Sequence, residues 1–357
     1  MMRVVILFGG RSSEHEISIL SARNIWLALD RARFSPALIS IGKDGQWRRE
    51  PESTLERAVG DPHQLRLDPR AETVGFSDAA GPDDIVFPIL HGPYGEDGTV
   101  QGMLDFLDIG YVGAGVLGSA IGMDKDVSKR LLGDAGLPVV DFQVLSAAEL
   151  QDTPAAALAR AQALGFPLFV KPANTGSSVG VTPVKTVAAL EPAVRAALAF
   201  DRKVIIERAV DARELECAVL GNDHPQASVP GEIIIGAQHA FYSYDAKYVD
   251  PNGAALRIPA DIPPATQARV RELSIRTFKV LELSGMARVD FFLDRGSGEL
   301  YVNEVNTIPG FTAMSMYPKM WEAAGLSPEA LVSRLIELGI ERRDARRGLT
   351  RTTTIAG

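Results

Sequence analysis

Two short segments carry the side chains best suited to chemistry. Arg288-Val289-Asp290-Phe291-Phe292 is followed, after a turn at Gly296 to Gly298, by Tyr301-Val302-Asn303-Glu304-Val305-Asn306. Read as paired antiparallel strands, they place Asp290, Glu304 and Asn306 on one face, because alternate side chains of a strand share a side. Two carboxylates and an amide oxygen suit a hard cation such as Mg²⁺, which completes its shell with water and nucleotide phosphates. No cluster of His or Cys competes for a softer metal. A hairpin with solvent-facing acids would use the same residues. Against it, apolar Val289, Phe291, Val302 and Val305 read onto the opposite face, and the turn Thr307-Ile308-Pro309-Gly310 follows directly. The pattern predicts a metal site.

A second segment, Leu168-Phe169-Val170-Lys171-Pro172, ends an apolar run in a lone lysine, just ahead of Asn174-Thr175-Gly176-Ser177-Ser178-Val179-Gly180. Small residues expose backbone N–H groups and hydroxyls that can cradle phosphate, and the lysine adds a point charge. This is not a Walker A loop, since no Gly-Lys-Ser/Thr follows and the next segment reads as a strand rather than a helix. Alone, the loop could equally be an ordinary surface hairpin. Its pairing with the oxygen-donor strands favours nucleotide phosphate.

The elements that must position these residues are legible in outline. Val4 to Phe8 is a continuous apolar run closed by two glycines, as in a buried parallel strand, and Ile17 to Leu29 carries apolar residues at helical spacing. A further strand, Asp84 to Leu90, precedes the loop His91 to Gly98, so residues 1–121 read as an α/β domain. Within it, Lys43 to Asp83 reads as a surface insertion, with a possible hairpin at Gly45 to Arg48. A second unit, 122–209, opens on the helix Lys125 to Ala135, stopped by Gly136 and Pro138. It continues through the helix Ala155 to Leu164, the strand Pro167 to Lys171 and a strand ending at Glu207. A third, 210–340, alternates β-like runs with the helix Pro264 to Leu283 and closes on Pro328 to Leu338. The last segment, 341–357, is polar, with arginines at 342, 343, 346, 347 and 351, and reads as a flexible, solvated tail.

Composition narrows the partners. The chain has 357 residues, 46% hydrophobic and 23% charged, as in ordinary globular proteins with room for two or three domains. Its 37 basic and 45 acidic residues give a net charge of -8, which argues against nucleic acid or an anionic membrane and for a small-molecule partner. The single cysteine, Cys217, excludes an intrachain disulfide and fits a reducing, cytoplasmic compartment; it reads as a small buried hydrophobe. The N-terminus lacks a signal-peptide core, and no apolar stretch is long enough to span a membrane.

The lysine strand, small-residue loop and acid-x-Asn strand together resemble the ATP-grasp superfamily. More narrowly, His91-Gly92-Pro93-Tyr94-Gly95-Glu96-Asp97-Gly98-Thr99-Val100-Gln101-Gly102 and the stretch Gly285 to Gly310 resemble the two signature regions of D-alanine:D-alanine ligases. The likeness extends to Gly9-Gly10-Arg11-Ser12-Ser13-Glu14-His15-Glu16 and covers nearly the whole chain. It implies a Rossmann-like parallel-sheet domain followed by a two-domain ATP-grasp fold, with nucleotide between two antiparallel sheets. It also implies ATP-dependent joining of two D-alanines through a D-alanyl phosphate, for peptidoglycan precursors, with two Mg²⁺ ions (or Mn²⁺), in a homodimer.

Carried over position by position, the resemblance puts Lys125 and Lys171 on the phosphates, and Glu207, Val210, Glu214, Lys247 and Phe292 around the nucleotide. Glu207 could instead simply pair with Arg208 or Arg213. Arg288 takes the charge on the transferred phosphoryl group and on the tetrahedral intermediate, beside metal ligands Asp290, Glu304 and Asn306. Glu14 receives the first substrate's ammonium, with Ser177 and Tyr248 hydrogen-bonded beside it; Glu16 is the rival, and either acid could be a plain helix-start charge. His91 matches a position near the first carboxylate, and Gly310 and Ser315 positions near the second substrate. The aromatic run Phe241 to Tyr248 implies a lid that excludes water, and a neutral Tyr248 favours the dipeptide over a D-lactate ester. Two other readings stay open, a ligase making a depsipeptide or using another amino acid, and a binding module without catalysis. The insertion and the arginine-rich tail depart from the family pattern.

Overall fold

The computed structural model describes residues 1–59, 65–236 and 253–350. Three sheets carry the architecture. The first comprises β1 (Met2–Gly9), β2 (Phe34–Ile41), β3 (Trp47–Glu50), β4 (Glu72–Thr73), β5 (Ile85–Pro88) and β6 (Gly110–Tyr111), in the order β4-β3-β2-β1-β5-β6. β2, β1, β5 and β6 run parallel, while β3 and β4 add an antiparallel edge. Helices cover both faces of the parallel part. That is why Val4 to Phe8 are all buried and show no alternation.

The segment Lys43 to Asp83 is more than a surface insertion. It supplies β3, β4 and the short helices Ser53–Glu56 and Phe76–Ala79, and it buries Leu55 completely. The hairpin joins β2 to β3, so its turn spans 42–46 rather than starting at Gly45. Strands of four and two residues are too short for a period of two to register in sequence.

The second sheet is antiparallel: β7 (Phe142–Ser146), β8 (Leu168–Pro172), β9 (Thr182–Val184) and β10 (Lys203–Arg208), ordered β7-β10-β8-β9. Leu168, Val170, Val204 and Ile206 pack against the helices Pro154–Gln162 and Val187–Ala197 in a core of their own. Strict alternation then turns Phe169, Lys171 and Glu207 to the other face.

The third sheet holds β11 (Ala212–Gly221), β12 (Gln226–Ala227), β13 (Gly231–Ile235), β14 (Ala254–Arg257), β15 (Gly285–Asp294) and β16 (Leu300–Asn306). Its order is β14-β13-β11-β15-β16, with β12 on β11. Cys217, Val289, Phe291, Val302 and Val305 pack against Val270, Leu273 and Phe278 of the helix Pro264–Val280. Glu214, Glu216, Arg288, Asp290 and Phe292 alternate to the opposite face.

Strict alternation would set Val302 on the same side as Glu304. The register shows why it does not: Asp290 pairs with Glu304 but Phe291 with Val302, leaving Asn303 as an extra residue in a β-bulge. The bulge turns Val302 into the core while Glu304 and Asn306 keep the other face.

The first and third units share one core, in which Ile6, Phe8 and Ile25 join Tyr317, Trp321 and Leu335. The final helix, Pro328–Arg347, runs past Leu338 and corrects the reading of a flexible tail over 341–347. Arg342 lies 3.9 Å from the Tyr111 ring centroid and donates to the Tyr111 carbonyl at 3.1 Å. Arg346 pairs with Asp105 and Asp108, and Arg347 with Asp108 at 2.9 Å. The arginines dock the helix onto the first domain, through partners more than two hundred residues away in the chain. Among the described residues no helix is long and apolar enough to cross a membrane.

Candidate active site

Two cavities meet between the sheets. One, of about 230 Å³, lies between the polar faces of the second and third sheets and is lined by Lys171, Glu207, Val210, Glu214, Asp290 and Phe292, among others. The other, of about 480 Å³, opens toward the first domain and is lined by Glu14, His91, Glu96, Asn306, Gly310 and Ser315, among others. Lys125, Ser177, Glu216, Arg288 and Glu304 line both. Every site residue expected from the sequence lies on one wall or the other except Lys247 and Tyr248. These two, with the proposed lid Phe241 to Tyr248, fall outside the described residues.

At the junction, Arg288 makes a two-pronged contact with Asp290, at 2.7 Å from each carboxylate oxygen, and reaches Glu216 at 2.9 Å. Burial opposes its charge, but Asp290, Glu216 and Glu304 raise its pKa well above the usual arginine value. The Lys125 amine donates to the Thr175 carbonyl at 2.8 Å and pairs with Glu304 at 3.3 Å. The Asn306 Oδ1 is buried without a hydrogen-bond partner. It stands on the strand face that carries Glu304, opposite Arg288 in the register. An amide oxygen left unpaired beside two carboxylates fits a hard divalent cation. Among the described residues no group of three or more His, Cys, Asp or Glu forms a metal cluster, so the amide is needed to complete the donor set.

Deeper in the smaller cavity, the Glu207 carboxylate sits between Lys171 at 2.6 Å and Lys129 at 2.9 Å. Burial would raise its pKa, but the two ammoniums overcome this and hold it at about 2. Lys171 also stands over the Phe292 ring, 5.9 Å from its centroid.

On the other side, Glu14 caps the helix His15–Leu27 and accepts from Ser177 Oγ at 2.5 Å. Ser177 and Ser178 have φ of +50° and +59°, a left-handed pair of non-glycine residues that aims the Ser177 hydroxyl across the cleft. Glu16, the rival acid, turns away to pair with Lys43 at 2.6 Å. His91 is buried, and burial depresses its pKa, so the ring is neutral. Its Nδ1 donates to the Ile308 carbonyl at 3.0 Å, and Nε2 accepts from Ser21 Oγ at 3.2 Å. Ser315 Oγ accepts from Thr312 N at 2.9 Å, and a Cβ on Gly310 would come within 2.7 Å of it. A side chain at position 310 would have to displace that hydroxyl.

Three buried ionisable groups at or behind the cleft escape the sequence reading. Glu216 lies two residues beyond Glu214 on the same strand face, and that alternation was an available signal. Glu96 stands inside the motif beginning at His91. Its carboxyl accepts from Gly92 N at 2.6 Å and Ile308 N at 3.1 Å, and burial with the nearby Glu14 charge pushes its pKa up to about 8. Lys129 carries no local signal at all.

A cleft between two antiparallel sheets, with Lys171 on one sheet, Lys125 at a helix start beside it and the oxygen donors Asp290, Glu304 and Asn306 on the other sheet, has the arrangement of an ATP-grasp enzyme. Family models for the N- and C-terminal domains of D-Ala-D-Ala ligase match residues 3–114 and 131–337, and the chain belongs to the D-Ala-D-Ala ligase family. It is 47% identical to D-alanine–D-alanine ligase A of Bradyrhizobium diazoefficiens, over 98% of both chains. The D-alanine–D-alanine ligase of Coxiella burnetii superposes with a TM-score of 0.82 at 37% identity, covering 97% of each chain. The VanG D-Ala:D-Ser ligase of Enterococcus faecalis gives 0.79 at 32%, covering 95% of this chain and 99% of its own.

Proposed function

We infer that the protein joins two D-alanines into D-alanyl-D-alanine at the expense of ATP, for peptidoglycan precursor synthesis. The observation that carries this is the junction itself: the cavity between the second and third sheets and the cavity facing the first domain share Lys125, Ser177, Glu216, Arg288 and Glu304. In this reading residues 1–121 hold the first substrate, while 122–209 and 210–340 clasp the nucleotide.

The first D-alanine places its ammonium on Glu14, which Ser177 orients, and its carboxylate toward Arg288. One carboxylate oxygen attacks the γ-phosphorus, ADP leaves, and D-alanyl phosphate forms. Both reactants are anions, so Lys125, Lys171 and Arg288 are needed to bring them together. Asp290, Glu304 and Asn306 would hold Mg²⁺, with Mn²⁺ as a substitute, and the metal would supply further charge neutralisation. The second D-alanine, seated near Gly310 and Ser315, then attacks the acyl carbon with its neutral amine. The acyl C–O bond to phosphate breaks as the C–N bond is made, and the proton lost by nitrogen leaves on the departing phosphate, while Arg288 stabilises the oxyanion of the intervening tetrahedral species.

The test is release of ADP and phosphate by purified protein with D-alanine, L-alanine, D-lactate or D-serine. Release that requires D-alanine supports the reading. An equal rate without it removes the ligase assignment, and stimulation by D-lactate or D-serine as second substrate would shift the product. The same reading implies a cytoplasmic homodimer, which light scattering on the eluted protein would check as twice the chain mass.

A further inference from the structure

We propose that Lys129 is a positioning residue for nucleotide binding, holding the Glu207 carboxylate so that Lys171 is free to turn to the phosphates. This rests on Lys171 being a phosphate ligand, as proposed above.

Lysine is almost never fully buried unless paired. The Lys129 side chain is 1% exposed, and its amine stands 2.9 Å from Glu207 Oε1. Lys171 holds the other oxygen, at 2.6 Å, and Glu207 itself is 3% exposed. One buried carboxylate is thus shared by two ammoniums of different standing. Lys171 and Glu207 line the cavity between the second and third sheets, whereas Lys129 is not part of that lining. It can act on the nucleotide only through Glu207.

With a single cation, Glu207 would bind Lys171 tightly, and drawing that lysine toward phosphate would strand a buried charge. With Lys129 behind it, the carboxylate stays compensated after Lys171 leaves. The helix Lys125–Asp134 delivers both amines: Lys125 at the junction with Glu304, and Lys129 one turn later beneath Glu207. Burial lowers the Lys129 pKa while the carboxylate opposes that effect, as expected for an amine whose role is to face this one partner.

The experiment is calorimetric titration of the full-length protein with adenosine and with magnesium ADP, alongside ATP steady-state kinetics. K171M should lower the preference for ADP over adenosine by about tenfold or more, with Lys125 and the metal donors supplying what remains. If the preference is unchanged, the phosphate reading of Lys171 fails. With that control passed, K129M should lower the ADP preference by about tenfold or more, the scale set by an undercompensated buried carboxylate. Adenosine affinity should stay within about threefold, KM for ATP should rise more than kcat falls, and K129R should restore most of the loss. Equal weakening of adenosine and ADP, or no change in either, would overturn the proposal. Should K129M fail to fold, E207Q and K129M/E207Q supply the comparison. Without the carboxylate the two must show the same ADP preference, and a further drop in the double variant would also overturn it.

Discussion

Ser177 Oγ donates to Glu14 Oε1 at 2.5 Å, tying the glycine-rich loop of the second unit to the N-cap residue of the first helix, 163 positions away. The acid proposed to receive the ammonium is thereby oriented by the loop proposed to cradle phosphate. Substrate and nucleotide cannot be placed independently.

Ser177→Ala should therefore weaken the first D-alanine more than ATP. A hydrogen bond to a charged group contributes about 1.5–3 kcal/mol, so KM for the first D-alanine rises roughly 10- to 100-fold. Steady-state kinetics with each substrate varied would show it; a change below about twofold would contradict the role.

Glu304→Gln keeps the shape and removes the charge of a proposed metal ligand. Turnover should fall about a thousandfold or more, several kcal/mol in the barrier, with the melting temperature nearly unchanged. Turnover near wild type would remove the metal assignment.

Arg288 divides into charge and geometry. Arg288→Lys keeps the charge but loses the fork that grips Asp290 and reaches Glu216, so the protein folds while kcat drops about 100-fold or more. Arg288→Met leaves both acids uncompensated in a buried site, costing about 3–5 kcal/mol of stability. Denaturant melts of the two variants should separate accordingly.

Glu96 gives a pH signature. Its folded pKa, about 8, is raised above the ordinary 4.5, so between those values the folded state holds a proton that the unfolded chain has lost. Stability from this group is complete below about pH 4.5, declines as pH rises toward 8 and is level beyond it. Glu96→Gln, permanently neutral, should flatten that slope in melting temperature against pH. An unaltered slope would place the titration elsewhere.

The C-terminal arginines make a mechanical prediction. Arg346→Ala with Arg347→Ala removes contacts to Asp105 and Asp108, both partly exposed, so the loss is about 1–2 kcal/mol. A lowered melting temperature with unchanged KM values is the expected result. An unchanged melting temperature would return the segment to a solvated end.

Much of the cleft was readable along the chain because strand chemistry is local. Lys171 on β8, Glu207 on β10 and the Arg288-x-Asp290 pair each follow from a period of two, in which one apolar face demands the core and the other is left for function. Glu214 and Glu216 obey the same rule, and the second could have been read with the first. Val302 could not. Its place in the core depends on an extra residue at Asn303, and a bulge appears only when two strands are laid side by side.

Sequence alone determined the residue types, the alternation that turns them into a cleft, and the long motifs that mark the family. Tertiary structure alone decided that Lys129 meets Glu207, that Glu96 is buried beside Glu14, and that a polar helix end is clamped to the first domain. Local periodicity is set by backbone sterics within a few residues. Ion pairs and desolvation depend on distances between segments far apart in the chain, and those distances exist only once the cores close.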